Sequence, residues 1–151
     1  MHEEQRYLVI TSCSKRKRRL EKARAIELYD GPSFRVLRRR LRGNVDVLIV
    51  SAEYGLVSSN SVIEPYDKRM DSETARRLAP SVRDRLSSSL HSARYGGILV
   101  DLPNYYREAF RLSEPLLAPY PVSWVTGTIG KRLHDLKAWL IEKGQGRKAS
   151  A

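Results

Sequence analysis

Ser12, Cys13 and Lys15 stand together in "TSCSKRKRR" (11–19), directly after the apolar run "YLVI". Ser12-x-x-Lys15 has the spacing of a serine–lysine pair, in which an amine activates a hydroxyl. Cys13 is flanked by Lys15 and Arg16, cations that favour the nucleophilic thiolate. Each has a plainer reading. A cysteine at a strand end serves equally as a small buried hydrophobe. The companion motifs of penicillin-binding proteins are absent, so Lys15 is read first as a contact to phosphate or carboxylate.

Chemistry of this kind needs a scaffold, and the apolar pattern supplies one. Four short runs, "YLVIT" (7–11), "DVLIV" (46–50), "GILV" (97–100) and "VSWV" (122–125), predict strands. Near-continuous hydrophobicity in the first three fits strands covered on both faces. Between and after them, helical spacing marks 33–42, 71–90 and 130–143. Asp71 or Ser72 is the expected N-cap of the second, and Pro80 should kink or restart it. The fold class is therefore α/β: a single domain over residues 1–143, an open, mainly parallel sheet of about four strands, helices on both faces, and a disordered basic tail over 144–151.

In such a sheet ligands bind beyond the strand carboxyl ends. The four loops there read "SCSKRK", "SAEYGLV…EPYDKRM", "DLPNYYREAF" and "TGTIGKR". Ser12, Cys13, Ser14 and Lys15 form one expected wall of a pocket. Ser51, Tyr54 and Gly55 form a second, with Tyr66 and Asp67 closing it. Asp101 is the best-placed acid, with capping of a helix from Pro103 as its structural alternative. Tyr105 and Tyr106 offer rings for base stacking or for the core. Gly127, Gly130 and Lys131 would hold a phosphate at a helix N-terminus. The catalytic candidates are thus Ser12, Cys13, Lys15 and Asp101.

Lysine and arginine number 28 against 17 acids, a net charge of +11. Residues 15–42 carry +9 of it and residues 131–148 a further +4. Concentration of this kind suits a polyanion. Arg18, Arg19, Arg35, Arg38, Arg39 and Arg42 are the expected nucleic-acid contacts. His2, His91 and His134 are scattered and make no metal pattern with a single cysteine. No dinucleotide fingerprint appears, so no cofactor is expected. The start "MHEEQR" does not read as a signal peptide, no run suggests a membrane span, and one cysteine fits the reducing cytoplasm.

The motifs "CSKRK", "ELYDGPSFR" (27–35), "SAEYGLV" with "IEPYD" (51–57 and 63–67), and "GTIGKRLHDLKAWL" (127–140) resemble, in order, those of the YaaA-like superfamily, particularly a compact branch of unknown function. Full-length members carry a helical insertion with a DNA-binding helix-hairpin-helix. Here the interval is only residues 16–28, so duplex binding through that insertion does not carry over. Members also lack a cysteine matching Cys13, which makes Ser12 and Lys15 the shared pair. The "CS…K" segment is locally similar to the core domain of archaeosine synthase, which acts on a deazaguanine base in tRNA. These resemblances imply a nucleic-acid or nucleotide-like partner and a nucleobase-sized pocket, with base modification or excision as its chemistry. Two other readings stand beside this one: a non-enzymatic nucleic-acid-binding module using the arginine face, and a small-molecule transferase.

Overall fold

The computed structural model describes residues 5–149. Its strands are β1 (Arg6–Ser12), β2 (Ala23–Arg24), β3 (Val45–Ser51), β4 (Gly55–Ser58), β5 (Val62–Ile63), β6 (Tyr95–Asp101) and β7 (Val122–Trp124). Its α-helices are α1 (Ala25–Leu28), α2 (Pro32–Arg40), α3 (Ser72–Ser92), α4 (Asn104–Ala109) and α5 (Ile129–Ala149), with a 3₁₀ helix over Arg111–Leu117. Among the described residues the main sheet has five strands in the order β4-β3-β1-β6-β7, and β2 pairs with β5 apart from it. β3, β1, β6 and β7 run parallel, while β4 lies antiparallel on the edge. The mainly parallel α/β sheet is as expected, but it has five strands and not four.

The central strand explains the layers. Leu8, Val9 and Ile10 of β1 are all fully buried, so both faces of the sheet are covered. Val9 packs with Phe34 and Leu37 of α2 and Leu136, Trp139 and Leu140 of α5. Leu8 and Ile10 pack on the other face with Ala75, Val82 and Leu86 of α3, Ala109 of α4 and Phe110. Period-two alternation thus fixes which face every later residue of the strand joins.

Three local outcomes differ from expectation. β4 was read as loop; it forms because Gly55 takes φ +75, a conformation that glycine reaches without strain, and folds the chain back on β3. Ser51 Oγ stabilises the turn by accepting the Glu53 and Tyr54 amides at 3.2 and 3.1 Å. Pro80 neither breaks nor restarts α3, which runs unbroken over 21 residues. It sits on the exposed face, where the carbonyl that loses its helical partner can turn to water. Asp71 does cap α3, accepting the Thr74 amide at 2.7 Å, and this bond holds its carboxyl below the usual range. Finally, the backbone of α5 stays helical to Ala149, beyond residue 143; residues 150–151 lie outside the described residues. No helix among the described residues is long and apolar enough to cross a membrane.

Candidate functional site

The parallel strands run β3-β1-β6-β7, so the chain leaves β1 toward one side for β3 and later returns to its other side for β6. The crevice at the carboxyl ends of β1 and β6 is therefore the switch point where ligands bind in such sheets. Alternation sorts what stands there. Cys13 follows β1 on the α2/α5 face with Val9. In β3, Val45, Val47 and Ile49 share that face, which puts Ser51 on it too; Leu99 likewise puts Asp101 there. Ser12 falls on the opposite face with Leu8 and Ile10. Ser12 and Cys13 therefore do not form one wall, and among the described residues no hydrogen bond joins Ser12 to the exposed Lys15.

Four hydroxyl groups and the thiol define the interior of the site. The Tyr66 hydroxyl lies 2.7 Å from both the Tyr29 and Ser51 hydroxyls. Ser51 Oγ already accepts two backbone amides, so its own proton points to Tyr66, whose hydroxyl also shares a hydrogen bond with that of Tyr29. Cys13 Sγ donates to the Tyr106 hydroxyl at 3.2 Å, across the switch point. Tyr54 anchors the far side, its hydroxyl donating to the Glu64 carbonyl at 3.1 Å, and its ring meets that of Tyr66 edge-to-face at 5.5 Å. Burial dominates the electrostatics. It pushes the Tyr29 phenol up to about 12 against the pull of the Ser51 and Tyr66 hydrogen bonds. It raises Tyr66 and Tyr106 further, with Cys13 adding to both. All three phenols are neutral donors at neutral pH.

Lys17 enters this cluster from above. Its Nζ stands 4.3 Å from the centroid of the Tyr66 ring and 5.8 Å from that of Tyr29. Burial among the rings lowers its pKa, opposed by the nearby Cys13 and Asp67. The backbone explains its direction: Arg18 N–H bonds to the Leu28 carbonyl and Asp30 N–H to the Arg16 carbonyl, pairing 16–18 against 28–30. Outside Lys17 lies an open cleft of about 540 Å³, lined by Lys15, Arg18 and Arg19 as well as Tyr66 and Asp67. Lys15 thus shares the outer rim with Arg18 and Arg19, and the cation set into the rings is Lys17.

A second cluster sits beside the first. Asp101, 1 % exposed, accepts from Arg132 Nε at 2.8 Å. Burial raises its carboxyl above the usual range in spite of that guanidinium. It does not cap α4, which has no side-chain cap. Arg132 comes from the first turn of α5, where Thr128 Oγ1 accepts the Lys131 amide at 3.3 Å and Gly127 turns the chain with φ +99. Lys131 Nζ is spent on Asp135 at 2.8 Å. Gly130 and Gly127 are exposed at this helix start, apart from the cluster of Cys13 and the tyrosines.

The structure thus brings together Cys13, Ser51, Tyr54, Tyr66, Asp67 and Tyr106. Gly55 serves the hairpin. Ser14 serves the fold: its hydroxyl donates to the Arg16 carbonyl at 2.6 Å and accepts the Gly31 amide at 3.2 Å. Tyr105 is exposed, 49 %. In the arginine set, Arg38 is structural, donating to the Ile26 and Tyr29 carbonyls at 2.9 and 2.7 Å and pairing with Asp30. Arg35 shares Asp30 and Arg18 pairs with Glu27. Arg19, Arg39 and Arg42 are exposed. Lys17, Tyr29 and Arg132 were not singled out. Three cations in a row carry no strand pattern, and the bridge of Lys17 to Tyr29 exists only in the fold.

The arrangement is that of a three-layer α/β protein with a buried hydroxyl and thiol cluster near its switch point. Residues 8–138 match a family of unknown function, DUF6884, and the chain belongs to it. No curated protein matches. Among solved structures it is similar to AF0587, titled a protein of unknown function, at 15 % identity and TM-score 0.53. That match covers 94 % of this chain and 44 % of the other, so this chain spans under half of the solved protein's length.

Proposed function

We propose that this is a nucleic-acid-associated protein whose pocket at the carboxyl ends of β1, β3 and β6 takes one nucleobase or nucleotide. The observation that carries the reading is the cleft of about 540 Å³ lined by Lys15, Lys17, Arg18 and Arg19 against Glu21 and Asp67, with Lys17 over the Tyr66 ring. Clefts of roughly 300–1,000 Å³ suit small ligands. Cations suit a phosphate, and neutral phenol and serine hydroxyls suit the edge of a base. Base modification or excision would fall to Cys13, which lies behind this cleft at the end of β1 with its thiol on the Tyr106 hydroxyl. A module working only through α2 arginines is disfavoured, because Arg38 and Arg35 are engaged within the protein.

Calorimetric titration with nucleoside 5′-monophosphates, nucleosides and orthophosphate tests the binding step. Monophosphates should bind more tightly than either part alone, and Lys17→Ala should weaken them at least about tenfold, the loss of a charge-assisted contact. Equal affinity in Lys17→Ala and wild type, or no binding by any monophosphate, overturns the proposal.

A further inference from the structure

The pocket reading leaves one exposed aromatic group unexplained. Trp124 ends β7, the outer strand beside β6, on the carboxyl-end side of the sheet, and it remains 38 % exposed while the other tryptophan, Trp139, is 8 % exposed. The Arg107 guanidinium carbon stands 4.5 Å from its ring centroid. Glu114 holds that guanidinium from the side at 3.5 Å. Arg107 belongs to α4 and follows Tyr106, whose hydroxyl receives the Cys13 thiol proton. Tyr105, on the same turn, is 49 % exposed. One short helix therefore carries both the partner of the Cys13 thiol and the cation of an open indole–guanidinium pair.

We propose that Trp124 and Arg107 form a stacking platform for a base of a single-stranded nucleic acid, whose neighbouring nucleotide enters the pocket beside Cys13 and Tyr106. The inference rests on the nucleotide reading of that pocket. An indole face with a cation against it is the chemistry on which unpaired bases stack, and Arg adds cation–π attraction. A duplex cannot use it, because its bases are already stacked on each other. Charge complementarity favours the same partner: the chain carries +11, and residues 126–131 after Trp124 are exposed. Had the guanidinium served only to cover the indole, burial of the ring against α4 would do so more fully.

The experiment titrates wild type, Trp124→Ala, Trp124→Phe and Lys17→Ala with uridine monophosphate, with uridine and thymidine oligonucleotides of increasing length, and with a duplex of the same length. Anisotropy of labelled strands reports affinity, tryptophan emission reports stacking, and circular dichroism checks the fold of each variant. Oligonucleotides should quench wild-type emission, and that change should vanish in Trp124→Phe. Trp124→Ala should lose about tenfold in oligonucleotide affinity, one stacked base, and keep its monophosphate affinity. Oligonucleotide binding without quenching, an unchanged Trp124→Ala, or equal quenching by the duplex overturns the platform. Monophosphate affinity that is absent or indifferent to Lys17→Ala overturns the pocket reading itself, whatever Trp124 does. Comparing the uridine and thymidine series separates RNA from DNA.

Discussion

The hydroxyl chain from Ser51 through Tyr66 to Tyr29 starts with a defined direction, because two backbone amides use the lone pairs of Ser51. Ser51 and Tyr29 are fully buried, so the network satisfies its own polar groups without a charge. It also makes the fold sensitive to alkali. The ordinary tyrosine value is 10.0 and burial pushes Tyr29 up to about 12. A raised folded-state value means that the unfolded chain loses the proton first. The stabilisation is complete below pH 10 and is lost as pH rises toward 12, amounting to about 2–3 kcal/mol for two units. Urea unfolding of wild type and Tyr29→Phe at pH 8, 10 and 11.5 measures it. The wild type should lose stability more steeply above pH 10, although Tyr29→Phe starts lower for want of the hydrogen bond. Parallel declines in the two proteins would remove Tyr29 from the account.

At the scale of elements, α2 shows how two roles share one helix. Phe34 and Leu37 face the core, and Arg38 reaches the carbonyls at the end of α1. Arg38→Ala should therefore cost about 2–3 kcal/mol, the loss of charged hydrogen bonds to buried acceptors, read by denaturant unfolding. Arg39→Ala with Arg42→Ala should leave stability within about 0.5 kcal/mol. If that face meets phosphates, the same pair lowers the slope of log affinity against log salt by roughly 0.7–0.9 per contact. A fall in stability with Arg39 and Arg42 as large as with Arg38 would refute this division. The same contrast shows what could be read in advance. β1, β3 and β6 were legible because burial on both faces writes continuous apolar runs, β7 because its short run is rich in β-branched and aromatic residues, and the α3 cap because its bond is local. β4 was not, since four residues behind a positive-φ glycine carry too short a pattern. The separation of Ser12 from Cys13 follows from alternation once the strand end is known. Lys17 over Tyr66 and Arg132 on Asp101 join residues 49 and 31 positions apart, and no local spacing encodes such pairs.

For the molecule as a whole, an open sheet leaves two edges, and this protein treats them differently. β7 ends in the exposed Trp124, whereas β4 is closed by a single arginine. In the β3–β4 ladder Gly55 and Val57 face Ser51 and Ile49, so the carbonyls of Tyr54 and Leu56 turn outward. Arg85 of α3 takes both, its Nη1 lying 3.1 and 2.8 Å from them. An unpaired edge of this kind is a template for another strand, and a charged side chain laid on it is a common protection. The basic charge adds a second, weaker barrier, since like-charged chains repel until salt screens them. The two devices are separable. Arg85→Met keeps an unbranched apolar stem and removes the donors, so it should leave the fold intact but raise self-association with protein concentration, more at 0.5 M salt than at 0.05 M. Sedimentation velocity on both proteins at both salt concentrations decides it. A variant that stays as monodisperse as wild type at high salt would show that the β4 edge is guarded by something other than Arg85.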